Sequence, residues 1–175
     1  MSKKYLRFPV PRTAVDSGTT SANGITAGTL TQSGQNFTST VSVGDIVVDT
    51  ANNLVRTVLA VTSDTELLVG STGEGIDTGA TFVIYDVDSI VDEIVPVSET
   101  LSVVAVSGGA TQTAINLSSG VSGFQKITLT HGAGLSTYSV QDEIASRILT
   151  FLKTKWHEVD QPANLSVTVG AIAWS

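Results

Sequence analysis

Residues 126–156 read KITLTHGAGLSTYSVQDEIASRILTFLKTKW, and their pattern decides the fold class. Val140, Ile144, Ile148, Phe151 and Leu152 recur at three- and four-residue intervals, which places them on one face of a helix over about 139–156. Ser139 stands where an N-cap belongs, its hydroxyl able to accept from a free backbone N–H. Asp142 and Glu143 fall in the first turn and Lys153 and Lys155 in the last, each matched to the helix dipole. The rest of the chain reads as strands and turns, so a lone amphipathic helix has only a β-sheet against which to bury its stripe.

Composition agrees. The 175 residues carry 9 basic and 16 acidic side chains, a formal charge of −7, and only 14% are charged. β-branched residues suit pleated surfaces and glycines serve the connections between short strands. No window reaches the ~20 apolar residues of a spanning helix, and the opening MSKKYLRFPVPRTAV lacks the apolar stretch and cleavage site of a secretory leader. Cysteine is absent, which removes disulfides and thiolate metal sites. The acidic balance speaks against a nucleic-acid coat and the apolar pattern against a membrane span, so neither partner is expected. The N-x-S/T sequons at Asn36, Asn116 and Asn164 are chance products of a Ser/Thr-rich chain.

Outward from the helix, the chain divides into four stretches. Residues 1–24 form an extended basic arm, with Lys3, Lys4, Arg7 and Arg12 as its charges and Pro9 and Pro11 favouring an open course. An arm of this composition orders only when something ties it down, and the expected anchor is a neighbouring subunit ahead of the chain's own domain. Residues 25–87 read as a small β-barrel or sandwich of short strands at roughly ten-residue spacing. Residues 88–98 are an acidic connector, read as an edge strand or a helical turn. Residues 99–175 form an α+β module in the order β-β-β-α-β. The expected fold is therefore mainly β with one helix.

The segments SVGDIVVDTANNLVRTVLAVTSDTELLVGS (42–71) and GIDTGATFVIYD (75–86) resemble small β modules of tailed-bacteriophage structural proteins, especially head decoration proteins. The segment ITLTHGAGLSTYSVQDEIASRIL (127–149) similarly resembles a strand-loop-helix unit of such virion proteins. The resemblance covers about two thirds of the chain and carries no catalytic motif. It implies a capsid decoration, or cement, protein assembled in the host cytoplasm and held on the virion surface. The major capsid protein or other virion proteins would be its partners, and a homo-oligomer, a trimer by preference, its working form. Two alternatives stand beside it: a tail-tube, neck or tail-associated protein, and a carbohydrate-binding or host-attachment module. The last needs exposed aromatics, whereas aromatics make up 6% of the chain, and Phe37, Phe82 and Phe124 are expected inside.

Candidate chemical sites reduce to structural roles. His131-Gly-Ala-Gly134 runs from a strand into the helix, where backbone N–H groups can hold phosphate. It lacks both the third glycine of a dinucleotide loop and the Gly-Lys-Ser/Thr of a triphosphate loop, and Asp142 and Glu143 repel an anion. Gly73, Gly75 and Gly79 precede a strand and read as a flexible hairpin loop. His131 and His157 show no zinc spacing, and no G-x-S-x-G marks a nucleophile. No enzyme, cofactor or metal is expected. Asp86, Asp88, Asp92 and Glu93 form the densest acidic group; Ile90 and Val91 break the calcium-loop pattern at its fifth and sixth positions. The expectation is that these carboxylates face Lys3, Lys4, Arg7 and Arg12 across a subunit contact.

Overall fold

A computed structural model describes residues 4–97, 100–106, 111–118, 126–133, 138–153, 160–163 and 165–175. The chain forms two compact units, one from residues 1–10 and 91–175 and the other from residues 11–90. The second is thus an insertion within the first. Strand β1 (Tyr5–Val10) opens the chain and belongs to the unit that the chain completes only after residue 90.

The inserted unit contains β2 (Ala14–Thr19), β3 (Thr29–Thr31), the short helix α1 (Phe37–Thr40), β4 (Ile46–Asp49), β5 (Leu54–Thr57), β6 (Ala60–Ser63), β7 (Glu66–Leu68) and β8 (Thr81–Tyr85). Two antiparallel sheets, in the orders β2-β8-β4-β5 and β3-β7-β6, make a sandwich-like arrangement rather than a closed barrel. Leu30, Phe37, Val47, Val58, Leu67, Val69, Ile76, Phe82 and Ile84 fill the space between them. Strand β4 is buried on both faces: Val47 points into that core, while Ile46 and Val48 join Val55 and Tyr85 in a smaller cluster. The ends of the unit meet, because the Ser89 hydroxyl accepts from the Arg12 and Thr13 amides and the Asp86 amide donates to the Thr13 carbonyl.

The first unit resumes with β9 (Val91–Pro96), β10 (Thr100–Ala105), β11 (Gln112–Leu117), β12 (Lys126–His131), helix α2 (Ser139–Lys153), β13 (Asp160–Pro162) and β14 (Val169–Trp174). Strands β10-β11-β12-β14 form an antiparallel sheet, so the β-β-β-α-β order is present. A second sheet, β13-β1-β9, joins it. Leu6, Phe8 and Val10 of β1 meet Ile115, Ile127 and Leu129 of the larger sheet and Val140, Ile144, Ile148 and Phe151 of α2 in one core.

The basic arm of residues 1–24 is therefore replaced by two strands, β1 and β2, in different units. Leu6, Phe8 and Val10 have strand period 2, a signal masked by the intervening Tyr5, Arg7 and Pro9. Pro9 is tolerated because its missing N–H faces the side of β13, whose pairing covers only Tyr5, Leu6 and Arg7. The stretch 88–98 contains the end of a 3-10 turn at Val87–Ser89 and the strand β9, which pairs with β1 as part of the first unit. The helix stripe also narrows. Leu152 is 45% exposed, because at ~100° per residue it lies about 85° from the mean direction of Val140, Ile144, Ile148 and Phe151. Phe124, Trp156 and His157 lie outside the described residues.

Candidate functional site

Lys4 was expected to serve a partner, and instead it serves the chain's own helix. It is 8% exposed, its ammonium donates to the Phe151 carbonyl at 2.7 Å, and it stands 5.1 Å from the centroid of the Phe151 ring. That carbonyl belongs to the last turn of α2, where backbone acceptors lack helical partners and the dipole favours a cation. Arg7 also stays within the chain. Its guanidinium donates to the Asp92 carboxylate at 2.8 Å across the β1–β9 pair, with both side chains partly exposed.

The other proposed contacts resolve separately. Asp86 caps the 3-10 turn by accepting from the Asp88 amide at 2.8 Å, and the Asp88 side chain faces solvent. Arg12 places its backbone amide on Ser89. Glu93 is half-buried on the core-facing side of β9, opposite Phe8. Lys3 lies outside the described residues. The basic and acidic groups thus meet within one chain, at Arg7 and Asp92, because β1 lies in the sheet beside β9 instead of reaching a neighbour.

The Gly-rich loop 70–79 is pinned to residues 24–29. Gly24 donates to the Ile76 carbonyl, Ile76 to Thr29, Gly70 to Gly28 and Gly73 to Ile25, all at 2.8–3.0 Å. The backbones approach so closely that a Cβ on Gly75 would lie 2.0 Å from the Gly24 oxygen. Gly28 adds a left-handed backbone with φ of +72°. Glu74 closes the loop, its carboxylate accepting from the Ser71 hydroxyl and amide. Those hydrogen bonds, and then the nearby Arg56 charge, hold its pKa below the usual carboxylate value. The expected flexible hairpin is instead a locked one.

His131 is fully buried at the end of β12. Its Nδ1 lies 2.8 Å from the Gly132 carbonyl and its Nε2 3.1 Å from the Thr113 hydroxyl. A carbonyl can only accept, so Nδ1 carries the proton and Nε2 accepts from Thr113. Burial lowers the imidazole pKa, opposed by the Gly132 hydrogen bond. Both ring nitrogens are occupied, and the ring joins β12 to β11. Two buried carboxylates that the sequence did not single out are equally structural. Asp49 accepts from the Ala51 and Asn52 amides and the Asn52 side chain at the β4–β5 turn; Asp45 accepts from Ser42 and Val87. An acidic residue three positions before Asn52-Asn53 was the available clue to the first. Among the described residues, no group of three or more His, Asp or Glu is placed to hold a metal ion.

What the surface does offer is apolar. Ile94 is 52% exposed and Val91 45% exposed on β9, and Val43, Leu59, Tyr138 and Leu149 are exposed elsewhere. The strongest candidate is β9, because its exposed side chains accompany the outer strand of a sheet. Comparison with known proteins finds no family model that matches the chain, no similar curated protein and no similar solved structure.

Proposed function

We propose that the protein is a virion structural protein of the capsid decoration type. It binds the shell through protein–protein contacts with the major capsid protein and with copies of itself. The observation that carries the reading is the resemblance of residues 42–86 and 127–149 to phage decoration modules. The exposed apolar side chains Val43, Leu59, Ile94 and Leu149, on a chain with only 14% charged residues, support it. In such a role the mechanism is linkage: a protein that binds only the assembled shell stabilises it by an amount that grows with the logarithm of its free concentration relative to its Kd, and needs no chemistry of its own. Contact area across capsomer junctions supplies the affinity.

The test is addition of the purified protein to capsids that lack it, followed by co-sedimentation and electron microscopy. Regular density on the capsid lattice is expected, with raised resistance of the shell to heat. Open rings or tubes without capsid binding would replace this reading by the tail-tube or neck alternative.

A further inference from the structure

Asn23-Gly24 is the only Asn-Gly pair in the sequence. Such a pair can modify itself, because glycine puts no side chain in the path of its own amide nitrogen. That nitrogen gives up its proton to solvent and attacks the Asn23 side-chain carbonyl carbon. The new C–N bond closes a succinimide ring, the Cγ–Nδ2 bond breaks, and ammonia leaves. Water then opens the ring at either carbonyl, leaving aspartate or isoaspartate, so the conversion consumes only water. Asn23 is exposed, yet the folded chain ties down both reacting groups. The Gly24 amide donates to the Ile76 carbonyl at 2.9 Å, and the Gly24 carbonyl accepts from the Ala27 and Thr29 amides at 3.1 and 3.0 Å. Asn23 Oδ1 accepts from the Ile25 amide and its Nδ2 donates to the Asp77 carboxylate, both at 2.9 Å. A Cβ on Gly24 would stand 1.9 Å from the Thr29 oxygen, so the residue has no room to swing its nitrogen onto the side chain.

We propose that Asn23-Gly24 is a self-modification site gated by the contact between residues 24–29 and loop 70–79. While the loop is closed, the pair is inert. When the loop opens, the Gly24 nitrogen and the Asn23 amide are released together and the ring closes. The product then keeps the loop from closing again. Aspartate at position 23 sets a carboxylate against Asp77 where an amide donor stood. Isoaspartate adds a methylene to a backbone pinned on either side, by the Ser21 amide on the Thr31 carbonyl at 2.8 Å and by the Gly24 amide on Ile76. The conversion runs one way, so it accumulates the time each chain has spent open. It needs no partner and does not depend on the capsid reading.

The test follows Asn23 in the full chain held in mildly alkaline buffer, by peptide mapping that separates asparagine, aspartate and isoaspartate. The folded chain should convert at least about tenfold more slowly than a synthetic peptide of residues 19–28, because only the open fraction reacts. Glu74→Ala removes the carboxylate that closes the loop, which bonds Ser71 and not Asn23. It should speed conversion about fivefold, the equivalent of one hydrogen bond. Glu74 is exposed, so the far-UV spectrum should stay unchanged. Asn23→Asp, which reproduces one product, should raise amide hydrogen exchange at Gly24, Gly70 and Ile76, three donors of the closed loop. Conversion as fast as in the peptide, no acceleration by Glu74→Ala, or wild-type exchange in Asn23→Asp would each overturn the proposal.

Discussion

Replacing Lys4 by methionine keeps the apolar stem and removes the ammonium that holds the end of α2. The lost interactions are a charge-assisted hydrogen bond of 2.7 Å to the Phe151 carbonyl and the contact with the Phe151 ring. A hydrogen bond from a charged donor contributes about 1.5–3 kcal/mol, and a cation over an aromatic face about 0.5–2 kcal/mol. One ammonium makes both, so the terms overlap, and the expected loss is about 2–3 kcal/mol. Trp174 packs against the core of the unit containing residues 91–175, so its fluorescence follows the unfolding of that unit. With a urea slope of about 1–2 kcal/mol/M, the midpoint should fall by about 1–3 M at constant slope. Lys126→Met, at an exposed lysine in the same unit, serves as the control and should shift it little. A Lys4→Met shift no larger than the control would refute the capping role. So would a difference that shrinks on tenfold dilution, because that would place Lys4 in a contact between subunits.

Further outcomes follow from burial and register. Ile148→Asp buries a carboxylate in the core beside Ile144 and Phe151 and should cost more than about 4 kcal/mol, unfolding the first unit by circular dichroism; Leu149→Asp, one residue on but exposed, should cost under about 1 kcal/mol, and equal effects would contradict the helix orientation. His131 has a folded pKa below its ordinary 6.5, so the unfolded chain binds its proton first. Stability should be at its full value above pH 6.5 and fall as the pH drops toward the folded value; His131→Gln should abolish that component below pH 6.5 in urea titrations, and an unchanged slope would argue against a buried neutral ring. Val10 and Val91 are paired, in phase with the bonded Lys4–Val97 pair, so an Asn-Gly turn should replace residues 11–90 and close the β1–β9 hairpin. Both the shortened chain and residues 11–90 alone should then melt cooperatively, and a piece that stays unfolded would show that the insertion is not autonomous.

Several features were legible without coordinates because they depend on local periodicity. The spacing of Val140, Ile144, Ile148 and Phe151 assigned α2 and its buried face, and the succession of short β-branched runs around polar turns assigned a mainly β chain with sandwich-like packing. Phe37 and Phe82 are buried as expected, tilted toward each other with ring centroids 6.4 Å apart. These properties are set by neighbours within a few residues, which any window along the chain contains.

The remainder depended on partners distant in sequence. Lys4 and Phe151 are 147 residues apart, and nothing near Lys4 distinguishes a helix cap from a solvated charge. The same separation hid β1: two lysines, an arginine and two prolines have the local character of an arm, and only β9 and β13 on either side make the segment a central strand. Loop 70–79 has the glycines of a flexible hairpin, yet those glycines allow residues 24–29 to approach within hydrogen-bonding distance. Leu152 satisfies a helical spacing and is left outside by the width of the sheet-facing stripe. Local sequence determined which segments are strands and which one is the helix. Tertiary structure decided where the charges of Lys4 and Arg7 are used, because long-range pairing exchanges their water contacts for a carbonyl, an aromatic ring and a carboxylate.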